Sequence, residues 1–141
     1  MEKLLQVLRE EERGIDVLPI SVNCLAEYKD KDFAKGVIKK DPTQFMIDSF
    51  QKLTDVDCIS VSFLLDVFCE LNEEATKKPQ PSTEQILRFG EELRVLDSNL
   101  TSSGVRRICK SLEKEFCKVT KLSLYSNQIT DAGVISLSQA L

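Results

Sequence analysis

The chain has 141 residues, 42% of them hydrophobic and 30% charged, a balance that suits a soluble, folded globular protein. Its net charge of −4 argues against a nucleic-acid binder, which carries a basic face, and no apolar run approaches the length of a membrane span. There is no histidine, which removes Ser-His-Asp and Cys-His catalysis, His-based zinc sites and the usual physiological-pH switch.

In chain order, Met1 to Arg13 is predicted as a helix with Leu4, Leu5 and Leu8 as its apolar stripe, ended by Gly14. Pro19 fits the first turn of a second helix, whose buried side holds Ile20, Cys24, Leu25 and Tyr28. Phe33, Val37 and Ile38 mark a short third helix. Asp41-Pro42 reads as an N-cap and first helical residue, opening a helix that carries Phe45, Met46, Phe50 and Leu53. Asp57 is placed as the cap of the next helix, the most apolar segment. Its broad face holds Ile59, Phe63, Leu64, Val67, Phe68 and Leu71, with Cys58 and Cys69 as core thiols. Thr76 to Pro81 is a linker, because its two prolines cannot continue a helix. Ser82-Thr83-Glu84-Gln85 reads as a capping box for a short helix burying Ile86, Leu87 and Phe89, placed as a cap over the segment that begins at Leu93.

From Val119 to Leu141 the period changes. Leu122 and Leu124 are two apart, which is strand spacing, and both are expected to be buried. Val134, Leu137 and Leu141 are three and four apart, which is helix spacing, with Asn127 in the turn between. The pattern stands again 29 residues earlier: Leu93, Val95, Leu100, Gly104, Val105, Ile108 and Leu112 match Leu122, Leu124, Ile129, Gly133, Val134, Leu137 and Leu141. Ser102 and Asp131, both good capping residues, stand at the two helix starts. Ser98 replaces the asparagine of the second copy. This L-x-L-x-x-N-x-I pattern, with Asp131-Ala132-Gly133 opening the helix, resembles the leucine-rich repeat of the ribonuclease-inhibitor-like subfamily. The resemblance covers residues 93–141.

The resemblance implies a strand–turn–helix solenoid, a cytoplasmic setting and a non-catalytic binding module. The expected fold is therefore a mainly α-helical N-terminal region over 1–78, a linker and capping helix over 79–92, and two repeats over 93–141 that begin an α/β leucine-rich-repeat solenoid. Its structural positions are Leu93, Val95, Leu100, Gly104, Leu122, Leu124, Asn127, Ile129 and Gly133. Residues between the inward leucines face outward onto the concave side. These are Arg94 and Leu96 in the first repeat and Ser123 and Tyr125 in the second, flanked by Lys121, Ser126 and Gln128. They are the expected partner-binding surface, for a protein partner rather than nucleic acid, membrane or metal. Two repeats leave a strand edge and an apolar flank open. The chain is therefore expected to be a fragment of a longer array, or to have its C-terminal edge covered by another chain. The family also implies contexts: scaffolds of the axoneme and cytoskeleton, sensors of the innate-immune-receptor type, and GTPase-activator-like regulators of small GTPases. The last would rest on Arg94, the one candidate at a strand position.

No catalytic constellation and no cofactor site is legible. The five glycines are scattered and form no phosphate loop. Asp30/Asp32 and Asp55/Asp57 have the local spacing of a Ca²⁺ loop but lack its glycine and terminal glutamate, so they read as caps and turn residues. The five cysteines include no C-x-x-C pair, and with no signal peptide they read as reduced, mostly buried thiols.

Overall fold

The computed structural model describes residues 3, 20–40, 49–78, 92–96, 98–124 and 127–140. The expected first helix apart from Lys3, the Asp41-Pro42 helix start, the linker and capping helix over 79–91, and Tyr125, Ser126 and Leu141 lie outside the described residues. In chain order the elements are α1 (Ile20–Tyr28), α2 (Lys31–Lys40), β1 (Ser49–Gln51), α3 (Asp57–Lys77), β2 (Glu92–Leu96), α4 (Ser102–Leu112), β3 (Lys121–Ser123) and α5 (Asp131–Ala140).

The helices form where an apolar stripe recurs every three or four residues, and in α2 and α4 a polar side chain also satisfies the first turn. On α3 the stripe is Val61, Leu64, Leu65, Phe68, Leu71 and Ala75, all buried. On α4 it is Val105, Ile108 and Cys109. Asp30 caps α2 by accepting the Phe33 N–H at 2.9 Å. Thr101 caps α4 by accepting the Ser103 N–H at 3.3 Å. Asp57, expected to cap α3, instead stands inside it and reaches back to the Thr54 N–H at 2.8 Å and the Thr54 hydroxyl at 3.0 Å, while Val56 at the N-cap position makes no side-chain cap bond. Lys29, in the left-handed region at φ 59°, ends α1.

The three strands make one parallel sheet in the order β1-β2-β3. The helices that follow them pack in the same order, α3 on α4 and α4 on α5, while α1 and α2 pack on α3. One continuous core runs from Val22 on α1 through Ile38, Val67, Val95 and Leu100 to Ile108. Its edge is held by ion pairs. Lys35 on α2 lies 2.8 Å from Glu74 and 3.4 Å from Glu70 on α3, and Lys39 lies 3.0 Å from Glu74.

This architecture corrects the expected fold class. Among the described residues the chain is mostly helical and carries one small parallel sheet, not a helical domain leading into a solenoid. Moreover, the sheet begins inside the region read as purely helical. Phe50 and Leu53 have helical spacing from Phe45 and Met46, yet Ser49–Gln51 is a strand, paired Ser49↔Arg94, Phe50↔Val95 and Gln51↔Leu96. Three residues are too few to show a period, so only the backbone ladder offered by β2 identifies this strand. Smaller corrections concern burial. Leu122 and Leu124 are half-buried rather than buried. Ile59 and Tyr28, both placed on inward faces, are 45% and 51% exposed. Tyr28 covers Phe33 edge-on instead, with ring centroids 5.2 Å apart.

Candidate functional site: the outward face of the sheet

The turns after the strands lie on one another and fix how the strands present their side chains. After β1, the Leu53 N–H donates to the Ser98 hydroxyl at 3.0 Å, and that hydroxyl donates to the Leu96 carbonyl at 3.0 Å. After β2, the Leu100 N–H donates to the Asn127 amide oxygen at 3.3 Å. The Asn127 amide nitrogen in turn donates to the Val95 carbonyl at 2.8 Å and the Leu124 carbonyl at 3.1 Å. Ser98 and Asn127 thus perform one task with different reach: a hydroxyl joins two backbone groups, and an amide joins three. The backbone repeats the contact, with Asn99 N–H on Leu53 O at 3.0 Å and Gln128 N–H on Leu100 O at 3.1 Å.

The helices close up on these turns because two positions are glycine. A Cβ on Gly104 would collide with the Asp55 carboxylate and stand 3.0 Å from the Cys58 sulfur. A Cβ on Gly133 would lie 2.5 Å from Ile129 and 3.1 Å from the Ser102 hydroxyl. The space at Gly104 lets Asp55 accept from the Thr101 N–H at 2.9 Å and the Thr101 hydroxyl at 2.5 Å. Of the aspartates with Ca²⁺-loop spacing, Asp30, Asp55 and Asp57 serve as cap and turn groups and Asp32 pairs with Lys35 at 3.0 Å, and among the described residues no cluster of His, Cys, Asp or Glu is suited to a metal ion.

With the strands so held, alternation divides their side chains. Leu93 and Val95 point into the core, whereas Glu92, Arg94 and Leu96 face out. On β3, Lys121 is exposed and Ser123 half-exposed. The register sets Glu92 beside Lys121 and Arg94 beside Ser123. On the other flank, Ser49 and Gln51 occupy the positions beside Arg94 and Leu96. The structure therefore brings together four of the residues read as a partner surface: Arg94, Leu96, Lys121 and Ser123. Gln128 is exposed in the turn between β3 and α5, off the strand row. Tyr125 and Ser126 lie outside the described residues.

Glu92 joins this face unforeseen, although Leu93 pointing inward already implies an outward neighbour on each side. The Arg94 Nε donates to its carboxylate at 2.8 Å. That bond, with Lys121 nearby, holds the Glu92 carboxyl below its ordinary range. Among the described residues, the face holds two cations and one carboxylate around a half-exposed leucine. No protein-family model, curated protein or solved structure matches the chain.

Proposed function

We propose that the chain is a cytoplasmic, non-catalytic protein-interaction module that engages a protein partner through the outward face of its parallel sheet. The observation that carries this reading is the row Glu92, Arg94, Leu96 beside Lys121 and Ser123, open to solvent on a rigid backbone ladder. Mixed charge around an apolar residue suits a partner surface of complementary charge with a small apolar contact at its centre. The resemblance of residues 93–141 to leucine-rich repeats points the same way. The absence among the described residues of any helix long and apolar enough to cross a membrane is compatible with it. The GTPase-regulator alternative needs a free arginine to reach a phosphate, and Arg94 is engaged with Glu92.

The test is affinity capture from cytosolic extract, followed by binding of the purified captured partner. Arg94→Glu combined with Lys121→Glu reverses the charge of the face without touching the core. At least a tenfold loss of affinity is expected, with circular dichroism and melting temperature unchanged. A partner that binds the double variant as tightly as the original chain refutes the assignment of this face.

A further inference from the structure

The layer made by β3 and α5 is covered on one side. The strand order β1-β2-β3 makes β3 an edge: one side of Lys121–Ser123 pairs with β2, and the other meets no strand among the described residues. The helices behave alike, since α4 packs between α3 and α5, whereas α5 packs chiefly on α4. The 29-residue correspondence shows the consequence position by position. Val95, Leu100 and Val105 are at most 1% exposed, but their counterparts Leu124 and Ile129 are only half-buried and Val134 is 56% exposed. Ile135 beside it is 57% exposed, and of the ten residues of α5 only Gly133 is buried. Yet α5 carries no charged residue after Asp131. An exposed helix face ordinarily carries charge, as α2 does with Lys31, Asp32, Lys35, Lys39 and Lys40. Uncharged, apolar helix surface beside an open strand has the composition of an interface.

Charge selects the occupant. Lys118, just before β3, and Asp131, at the start of α5, are both exposed and make no ion pair among the described residues. They stand at opposite ends of the same edge, because β3 and the turn after it run between them. A second copy, turned about a two-fold axis normal to the sheet, lays its β3 antiparallel to the first. The Lys118 end of each copy then meets the Asp131 end of the other, and both charges are matched twice over. Charge also selects the register. Directly opposite residues must face the same side of the sheet, so a residue of β3 lies on the axis. An axis through Lys121 would set like charges directly opposite. An axis through Leu122 pairs all three strand residues and sets Lys121 beside Ser123 of the second copy.

We propose that the chain binds a second copy of itself across the β3–α5 edge, with the two β3 strands antiparallel about a two-fold axis through Leu122. The two sheets become one, and the two α5 helices lie antiparallel and cover each other's Val134 and Ile135. Such an interface is isologous: it closes on itself and consumes the open edge, so association stops at two copies. It is separate from the outward face, because the pairing uses the backbone of β3 and leaves the side chains of Arg94, Lys121 and Ser123 on the sheet surface. The dimer sets two such faces side by side.

The experiment follows the mass of the purified full chain by light scattering and sedimentation over a wide range of concentration. A species of twice 16.0 kDa is expected, dissociating on dilution, and amide exchange at Lys121–Ser123 should slow as it forms. Lys118→Glu and Asp131→Lys should each weaken the dimer at least tenfold. An equimolar mixture of these two variants should dimerise like the original chain, because each end then pairs a cation with an anion. Val134→Glu combined with Ile135→Glu should leave a monomer with unchanged circular dichroism, since both side chains are exposed in one copy. A monomer at every concentration overturns the proposal. So does a series of ever larger species, the mark of open head-to-tail stacking, or a mixture of the charge variants no tighter than either alone. A chain that stays monomeric and instead holds another protein on Val134 and Ile135 overturns it as well.

Discussion

Replacing Asn127 with alanine removes three hydrogen bonds in one step, and the structure sets the size of the loss. The Val95 carbonyl loses a donor at 2.8 Å, the Leu124 carbonyl one at 3.1 Å, and the Leu100 N–H its acceptor at 3.3 Å. Val95 and Leu100 are both 0% exposed, so water cannot replace the amide there. Leu124 is half-buried, and its carbonyl recovers part of its bond from solvent. Taking roughly 1–2 kcal/mol for each of the two buried groups left unsatisfied, the total is about 2–4 kcal/mol. With a urea dependence of about 2 kcal/mol/M for a domain of this size, the unfolding midpoint should fall by about 1–2 M. Two further variants separate this account from mere loss of a side chain. Asn127→Ser should recover part of the stability, because Ser98 already joins two backbone groups at the matching turn. Asn127→Asp should be no better than alanine, since a carboxylate keeps the Leu100 bond but sets a charge against two carbonyls. An alanine variant whose midpoint lies within about 0.2 M of the original chain, or an aspartate variant as stable as asparagine, refutes the reasoning.

Gly104→Ala should destabilise by about 1–3 kcal/mol, since its Cβ displaces the Asp55 carboxylate from Thr101. Gly36→Ala, on α2 with nothing within 4 Å, should instead stabilise by up to about 1 kcal/mol, and calorimetry should show melting temperatures moving in opposite directions. Leu100→Ala should cost about 2–5 kcal/mol and half-buried Leu124→Ala clearly less, a ranking that urea denaturation checks. The bond from Lys35 holds the Glu74 carboxyl below its ordinary 4.5, so the stability it lends is present above that pH and is lost as the pH falls through the lowered value. Hydrogen bonds that Lys35 donates to Glu74 and Asp32 raise it above its ordinary 10.5, so its contribution is complete below that pH and is lost as the pH rises through the raised value. Glu74→Gln should flatten both limbs of a stability-against-pH curve, and an unchanged curve would exclude the α2–α3 ion pairs as the source.

What the residues by themselves determined is whatever has a local period or a local bond. The inward faces of α3 and α4 could be read because a 3.6-residue spacing writes the buried side directly into the chain. The inward set of β2 was legible for the same reason, since Leu93 and Val95 stand two apart. The capping duty of Asp30 could likewise be assigned from type and neighbours, because its bond spans only a few residues, whereas Asp57 stands inside α3 and accepts from Thr54 instead of capping the helix. Arg94, Leu96 and Ser123 on the candidate face followed by alternation from the strands, with Lys121 beside them. Contacts between distant stretches were decided by tertiary structure alone. Ser49–Gln51 is a strand only because β2 offers it a ladder, and Ile59 stays exposed because nothing packs over that side of α3's first turn among the described residues. The depth to which Leu122 and Leu124 sink depends on neighbours across the sheet rather than on their own spacing. Alternation sets Glu92 facing outward, and the fold adds its register beside Lys121. The segment after α4 lies against α3 because Lys114 and Phe116 are tied to Asp66 and Asn72, a meeting that no spacing in the chain announces. A helix records its environment every three or four residues, whereas a contact closed across a long loop leaves no periodic trace in the chain between its ends.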